Sequence, residues 1–451
     1  MKKTIAIPYL SIHRESLYRD GLGKFLGMLV NGIMQYDPEV LFEIWTYSQG
    51  VPGVKEMFSQ YLDEGLDRIS YIDDYDIYRK TNRYKKDKKS GASEEEIRVN
   101  YENKIAVSRL SKRTGKPSLI NKALKASDIV WHKHNLVKSI KASSNADAVY
   151  YFSPCFIPIL GIKKPTLVQI HDMFTIQYEK EFVKQSIRHL ITNRTIAFFL
   201  GLQSLSNAHF VCSSGNTLNN QILKYIPFVK KENTHIVRFP AMIKDYKDVA
   251  DKGKEAFCAE HGITAPYIAY PTQNRPNKNI ITLLKAMKCL KEMNVNVQLV
   301  LTGQFGGVKI CQEYIDNNPD IQDMLVETGN LSDEDLYLLY KHADMVVSTS
   351  FVEGACISGQ VLEALKIGNI PVVCALLDGV DEWLSVHGFD RKTADMNWFE
   401  RFDYETLAKT IKDVLENREE HLKKQEHIFR EIVEPTWPET GKAYLDLIDS
   451  I

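Results

Sequence analysis

The chain has 451 residues, of which 44% are hydrophobic and 25% charged, and its formal net charge at pH 7 is −1. These values exclude a disordered or fibrous chain and a globally basic nucleic-acid-binding protein, and the length predicts two or three domains. The seven cysteines are scattered without a Cys-x-x-Cys pair, which favours a reducing compartment over a disulfide framework or a zinc site.

The first segment predicts a buried strand and then a helix. Residues 4–9 are a short apolar run that Pro8 and later charges interrupt, which is typical of a first strand and not of a secretory signal. Gly21 and Gly23 open a segment with apolar residues at helical spacing, so we expect a glycine-containing turn into a helix. Strands are predicted at 42–47 and 68–72. No run of eighteen apolar residues occurs, so no membrane-spanning helix is predicted.

Residues 79–141 differ from the rest in charge. Eighteen Lys or Arg face six acidic residues there, which gives this stretch a local charge of +12. One interpretation is a basic insertion that faces an anionic membrane leaflet or an anionic glycan acceptor. The alternative is a solvated helical insertion that pairs with the acidic residues between 63 and 76.

The next segment continues the alternation of strands and helices. Strands are predicted at 148–152, 166–170, 209–213 and 234–239, with a helix at 182–206. His171 and Asp172 follow the strand 166–170 directly, and residues at the carboxyl end of a parallel strand face the ligand crevice. A single histidine is more often structural, so both interpretations stay open for His171.

A second α/β half opens with a strand at 267–270. Arg275 and Lys278 lie in the following loop, just before a helix, and two cations at a helix N-terminus suit a diphosphate leaving group. A further strand is predicted at 297–301. The glycines after it are too loosely spaced for a dinucleotide fingerprint and predict a turn. Ser332 is the predicted N-cap of the next helix.

The stretch 345–374 predicts strand, loop, helix, turn and strand. Its loop carries Glu353, Gly354, Ser358 and Gly359, and Glu363 lies early in the helix, which Gly368 closes. A small-residue loop that enters a helix at the end of a strand is a natural anion site. Two carboxylates beside it favour hydroxyl groups, so the pattern indicates a sugar phosphate or a nucleotide. An ordinary βαβ unit with two solvated glutamates is the alternative.

This last pattern resembles the nucleotide-sugar signature of the retaining glycosyltransferases of family 4, the glycogen synthase and mannosyltransferase-like group. The matching elements are Glu353-Gly354, Glu363-Ala364 and the run from Gly368 to Val373, with Lys278-Asn279 as the family's Arg/Lys-Asn element. Nine residues separate Glu353 from Glu363, which is more than is usual in the family.

The resemblance implies the GT-B fold, in which two Rossmann-like α/β domains face each other across a cleft. We therefore expect an N-terminal acceptor-side domain at 1–245 with an insertion at about 73–145, and a nucleotide-sugar-binding domain at 246–433. A final helix at 434–451 is expected to cross back to the first domain.

The resemblance also implies the activity and its residues. It implies transfer of a sugar from a nucleotide-sugar, UDP- or GDP-linked, to a hydroxyl acceptor with retention at the anomeric carbon, with a cation pair in place of a metal ion. The catalytic residues implied are Arg275, Lys278, Glu353 and His171. The donor-binding residues implied are Gly21, Gly23, Asn330, Ser358, Gly359 and Glu363.

The expected partners are the donor and a glycan, lipid-linked or protein acceptor, with no cofactor and no nucleic acid. The expected process is synthesis of a cell-surface polysaccharide or glycoconjugate, in the cytoplasm or at the inner face of the membrane. Two other classes stay open. One is a GT-B sugar-nucleotide isomerase or hydrolase, and the other is a catalytically silent binding partner with the same fold.

Overall fold

The structure is a computed structural model. It describes residues 2–9, 21–62, 64–101, 134–152, 163–173, 208–212, 215–226, 229–243, 249–264, 266–354, 357–432 and 434–451. Within these ranges, no helix has both the length and the apolar composition that crossing a bilayer requires.

The first sheet has seven parallel strands in the order β3-β2-β1-β4-β5-β6-β7. Their bounds are β1 Thr4–Tyr9, β2 Leu41–Thr46, β3 Ile69–Ile72, β4 Ala148–Tyr151, β5 Thr166–Ile170, β6 Ala208–Cys212 and β7 Thr234–Ile236. The strand order reverses direction at β1 and β4. Because ligands of open parallel sheets bind at such a switch point, the carboxyl ends of these two strands mark the ligand side of this domain.

The second sheet has six parallel strands in the order β10-β9-β8-β11-β12-β13. Their bounds are β8 Tyr267–Tyr270, β9 Gln298–Leu301, β10 Leu325–Glu327, β11 Met345–Ser348, β12 Val372–Ala375 and β13 Asn397–Phe399. Here the switch point lies between β8 and β11. The loops after these two strands carry Lys278 and Glu353, so the fold brings these two side chains to the same edge of the sheet.

Helices cover the faces of both sheets and bury their apolar residues against them. Two of them, which we label α5 and α6, include residues 94–101 and 134–143. The others are α1 Gly21–Tyr36, α2 Val51–Tyr61, α3 Tyr75–Tyr78, α4 Asn82–Lys89, α7 Asn216–Tyr225, α8 Lys254–Glu260, α9 Ile280–Glu292, α10 Lys309–Asn317, α11 Asp333–His342, α12 Gly359–Ile367, α13 Val380–Val386, α14 Arg391–Ala394, α15 Tyr404–Glu416, α16 Arg418–Glu431 and α17 Trp437–Ser450.

The two sheets and their helices confirm the predicted fold class of two Rossmann-like α/β domains. Several local predictions are confirmed as well. Ser332 accepts a hydrogen bond from the Asp335 amide at 3.0 Å as the N-cap of α11. Gly368 ends α12 with a φ of 77°, which glycine tolerates at a helix end. Gly306 and Gly307, after β9, lie in a short turn at Phe305–Gly307.

Other local features differ from the predictions. Gly21 and Gly23 belong to the first turn of α1 and not to a turn before it. Strands β10 and β13, of three residues each, were not predicted. The predicted helix at 182–206 and the predicted domain boundary at residue 245 lie outside the described residues.

The insertion is built on a cluster of tyrosines. Tyr75, Tyr78, Tyr84 and Tyr101, with Ile97, are buried together where α3, α4 and α5 meet. The cations of α4 lie outside this cluster, and Lys85, Lys86, Lys88 and Lys89 are exposed. Residues 102–133 of the basic stretch lie outside the described part of the chain.

The final helix α17 packs on α1 of the first domain. Tyr444, Leu445 and Ile448 lie in the same buried cluster as the residues of α1. The two helices approach closely at Gly32 and Gly441, where an added Cβ would overlap backbone atoms of the other helix. The Tyr444 hydroxyl also donates to the side-chain oxygen of Gln169 on β5.

Candidate functional site

The centre of the candidate site is an ion pair between Lys278 and Glu353. The Lys278 ammonium lies 2.5 Å from a carboxylate oxygen of Glu353, and the two side chains are 14% and 16% exposed. Burial by itself would lower the pKa of Lys278, but the negative charge of Glu353 outweighs it and raises this pKa. Lys278 is therefore positively charged at neutral pH. The sequence predicted both residues at one site, and the structure brings them into contact.

Neighbouring strands position Lys278 through its backbone. The Lys278 carbonyl accepts hydrogen bonds from the Thr349 hydroxyl at 2.8 Å and from the Tyr270 hydroxyl at 3.3 Å. Asn279 then takes a left-handed conformation with a φ of 50°, which turns the chain into α9. Arg275 precedes this turn, and its charge acts on Lys278. The loop after β8 thus presents two cations at the switch point.

The second predicted carboxylate, Glu363, lies on α12 and meets groups from both domains. Tyr340 donates a hydrogen bond to it at 2.5 Å. Burial raises the pKa of Glu363, while the positive charges of Lys24 and Lys278 oppose this shift. The charge of Lys278 therefore acts on Glu363, as it does on Glu353.

Lys24 reaches this site from the first domain. Its ammonium lies 3.4 Å from a carboxylate oxygen of Asp333, at the start of α11 in the second domain. The Lys24 side chain is only 13% exposed. Lys24 was not predicted as a site residue from the sequence. Its sequence signal was a lysine directly after Gly21-Leu22-Gly23, but only the packing of the two domains shows that it approaches Glu363 and Asp333.

The N-terminus of α12 lies one turn before Glu363 in the same helix. Ser358 precedes the helix and is 2% exposed, and its hydroxyl oxygen makes no hydrogen bond within the described part of the chain. An added Cβ at Gly359 would meet no atom within 4 Å. The helix therefore presents backbone N–H groups, a buried hydroxyl and open space together, which suits an anionic ligand.

His171 lies at the boundary between the domains. Its Nε2 atom is 2.8 Å from the Phe152 carbonyl oxygen, and its ring packs edge-on against Phe25. A Cβ added to Gly354 would overlap the His171 carbonyl oxygen, so the Glu353-Gly354 turn touches the loop after β5. The structure therefore places His171 beside Glu353 through the backbone, with its ring anchored in the first domain.

The remaining predicted residues lie in the loop before α11 and in the first turn of α1. Asn330 and the adjacent Gly329 are exposed in the loop between β10 and α11. Gly21 is exposed at the start of α1, and Gly23, two residues later, is buried. The described residues include no group of three or more His, Cys, Asp or Glu side chains arranged to hold a metal ion.

Comparisons with known proteins address the family and the fold. Residues 254–430 match the family described as "Glycosyl transferases group 1". A search of curated proteins found no match. The family match thus covers the second domain, with both the Lys278 loop and the Glu353–Glu363 segment.

Solved structures match over the whole chain at low identity. A mutant of S. aureus TarM, in complex with fondaparinux, α-GlcNAc-glycerol and UDP, is 12% identical with a TM-score of 0.65, and 99% of this chain and 100% of that one are covered. WaaG, described as a glycosyltransferase involved in lipopolysaccharide biosynthesis, is 13% identical with a TM-score of 0.60, at 98% and 99% coverage. Anabaena HepE, in complex with UDP and glucose, is 14% identical with a TM-score of 0.58, at 100% coverage of both chains.

These likenesses show that the fold is GT-B, with two Rossmann-like domains that face each other. The similarity to group 1 glycosyl transferases lies in residues 254–430, and the structural neighbours share the fold of the whole chain.

Proposed function

We propose that this GT-B chain is a retaining glycosyltransferase that moves a sugar from a nucleotide-sugar to a hydroxyl group without a metal ion. The observation that carries the proposal is the buried Lys278–Glu353 ion pair at the switch point of the second sheet. A cation suits the departing diphosphate, and a carboxylate beside it suits sugar hydroxyls. A pocket for a simple phosphate would not place carboxylates next to the anion.

Each predicted residue then has a proposed role. When the bond between the anomeric carbon and the diphosphate breaks, positive charge develops on the sugar and negative charge on the diphosphate. Lys278, Arg275 and the N-terminus of α12 would stabilise the diphosphate, which removes the need for a metal ion. Glu353 would hold the sugar hydroxyls and Glu363 the ribose. Gly21, Gly23, Asn330, Ser358 and Gly359 would complete the donor site, and His171 would lie beside the acceptor.

The base of the donor is proposed as uracil first and guanine second. TarM and HepE are each described in complex with UDP, and HepE also in complex with UDP-glucose. These complexes support a UDP-sugar donor for this chain, and no cofactor beyond the donor is proposed.

The acceptor is proposed to be a glycan, a lipid-linked saccharide or a protein in the synthesis of a cell-surface polysaccharide or glycoconjugate. A neighbour described as acting in lipopolysaccharide biosynthesis supports this class. The exposed lysines of α4 support cytoplasmic action at the inner face of an anionic membrane. Liposome flotation tests the membrane part: recovery with acidic lipid should exceed recovery with neutral lipid, and equal recovery would contradict it.

Donor binding and transfer test the central proposal. A thermal-shift screen of UDP-, GDP- and ADP-sugars identifies the donor, and turnover is then measured for Lys278→Ala and Glu353→Ala. Each variant should lose at least about a hundredfold in kcat, because removing one group that stabilises developing charge costs roughly 3 kcal/mol. Lys288→Ala is the matched control, since Lys288 makes an ion pair with Asp320 on the surface.

Three outcomes of this experiment separate the alternatives. Near wild-type turnover in both site variants would contradict the site. Sugar release or rearrangement without an acceptor would indicate a hydrolase or an isomerase. Donor binding without any product would indicate a silent binding partner.

A further inference from the structure

Phe402 has a backbone conformation that bulky residues rarely adopt. Its φ is 73°, in the left-handed region. The other residues with positive φ in the described part of the chain, apart from glycines, are Asn279, Asn294, Asn369 and Asp395. Asn and Asp tolerate this conformation because their short polar side chains bond locally, whereas a phenylalanine is strained there.

The turn around Phe402 does not need an aromatic ring. The Asp403 amide donates to the Glu400 carbonyl at 3.0 Å, which makes Phe402 the third residue of a four-residue turn. Positive φ at this position usually selects Gly or Asn. Asp403 then caps α15 by accepting from the Thr406 amide. The fold therefore requires the turn and the cap, but neither requires the phenylalanine side chain.

The Phe402 ring also gains little from burial. It is 44% exposed, and it packs against the Phe351 ring at a centroid distance of 5.6 Å. A strained backbone that holds a half-exposed aromatic ring is unfavourable for stability. Backbone strain of this kind is common at binding sites, so the strain at Phe402 points to a role outside folding.

The position of the ring relates it to the candidate site. Phe402 follows β13 at the carboxyl edge of the second sheet, and Phe351 lies two residues before Glu353. Arg401 ties the two loops together by donating to the Phe351 carbonyl at 3.2 Å. Asn330 follows β10 at the opposite end of this sheet. Along the sheet edge, Phe402 therefore lies on the side of Glu353 away from Asn330, which is proposed to bind the donor.

Arg401, the residue before Phe402, pairs with an acidic side chain of a neighbouring loop. The Arg401 guanidinium lies 2.9 Å from a carboxylate oxygen of Asp378, and these side chains are 29% and 50% exposed. An apolar ring next to accessible hydrogen-bonding groups matches a pyranose, which has an apolar C–H face and a rim of hydroxyls. A purely apolar partner would leave these charges without water.

We propose that Phe402 is a stacking platform for a sugar ring of the acceptor glycan, at least one residue away from the sugar that reacts. This inference rests on the proposed function and names a subsite for it. The ring would bury the C–H face of the pyranose, and Arg401 and Asp378 would bond its hydroxyls. In this proposal, the strained turn at Phe402 serves to keep the ring exposed for contact with the sugar.

Phe402→Asn separates this role from folding. Asparagine suits the left-handed conformation, so the variant should unfold at the wild-type temperature or roughly 1–2 °C above it. A clear drop in the unfolding temperature would show that the ring is structural and would overturn the proposal. Phe402→Tyr keeps the ring and the strain, and it serves as the matched control.

Acceptor kinetics give the second measurement. With the donor found in the thermal-shift screen, wild type and variants are assayed on malto-, cello- and chito-oligosaccharides of increasing length. For the long acceptors that wild type elongates, Phe402→Asn should raise KM about tenfold, which is equivalent to 1.4 kcal/mol. The KM for the donor and the KM for the shortest acceptor should not change. Phe402→Tyr should behave as wild type.

The outcomes separate this inference from the proposed function. Equal KM values for Phe402→Asn and wild type on every acceptor, or a change in donor KM alone, would overturn the platform while transfer itself stands. Absence of transfer by the wild-type protein from every donor would overturn the proposed function first, and the platform with it.

Discussion

At Glu363, one carboxylate interacts with a hydroxyl group and with the charges of two lysines from different parts of the chain. Tyr340 donates to it, and Lys24 and Lys278 act on it through their charges. Burial nevertheless raises the pKa of Glu363. The folded protein therefore binds this proton more tightly than the unfolded chain does. The contribution of Glu363 to stability consequently falls as pH rises from the unfolded pKa through the raised folded pKa.

Glu363→Gln should remove this pH dependence. The variant should unfold at a higher temperature than wild type at about pH 7 and at nearly the same temperature at about pH 4, because the wild-type carboxyl is neutral there. Donor affinity should fall, since an amide binds ribose hydroxyls less strongly than a carboxylate does. Thermal unfolding across this range, with donor titration, measures both effects. A variant that is less stable than wild type at neutral pH would contradict the assignment of burial as the dominant effect.

The site residues differ in how far sequence could predict them. Lys278, Glu353 and Glu363 follow strand ends or open helices, and such positions face a ligand in any parallel sheet. Lys24 was missed because its role depends on the packing of two domains, which no local pattern records. Phe402 was missed because its positive φ is visible only in the folded backbone.

At the scale of elements, the turn at Glu353-Gly354 lies against the loop after β5 and forms a contact between the domains. Gly354 permits this contact, because a Cβ there would overlap the His171 carbonyl oxygen. The turn therefore couples the position of Glu353 to the first domain.

Gly354→Ala should displace this turn. The added methyl group cannot be accommodated against a backbone carbonyl, so we expect at least about a tenfold loss of kcat, equivalent to ~1.4 kcal/mol in barrier height, and a lower unfolding temperature. Gly21→Ala is the stability control, because a Cβ at Gly21 meets no atom within 4 Å. An unchanged unfolding temperature together with full activity would show that the domains do not touch here in solution.

The elements themselves were largely predictable from hydrophobic patterns. Strands β1, β5, β8 and β11 have the predicted bounds because each is a continuous buried run of four to six residues. Strands β10 and β13 have three residues each and are largely half-buried or exposed, so their sequences lack such a run. Both lie at the edges of the second sheet, where burial is least.

At the scale of the whole molecule, Glu382 joins the two domains. Its carboxylate accepts hydrogen bonds from the backbone amides of Asn216 and Thr217, at 2.6 and 2.9 Å, and from both of their side chains. These groups open α7 in the first domain, while Glu382 lies on α13 in the second. No role was predicted for Glu382 from the sequence. Burial alone would raise the pKa of Glu382, but these hydrogen bonds lower it.

Glu382→Ala should shift the molecule toward a more open arrangement of domains. Removing an ionised acceptor at a helix N-terminus should weaken the closed arrangement by about 1–3 kcal/mol. The scattering radius should rise and kcat should fall, while each domain stays folded. Asp381→Ala is the matched control, since Asp381 pairs with Arg391 within the second domain.

The same contact predicts a pH effect. Because the folded pKa of Glu382 is lowered, its contribution to closure is complete above the unfolded pKa and is lost as pH falls through the lowered folded value. Wild-type scattering should therefore expand at low pH more than that of Glu382→Ala. Identical scattering of the two proteins at neutral pH would exclude a role for Glu382 in closure.

The return of α17 to α1 has a consequence for biosynthesis. Tyr444, Leu445 and Ile448 fill part of the first core, although more than 400 residues separate them from β1. During synthesis on the ribosome, the apolar surface of the first domain that α17 covers stays exposed until the second domain has been translated. Nascent chains arrested before residue 437 should therefore recruit chaperones and aggregate more readily than completed ones.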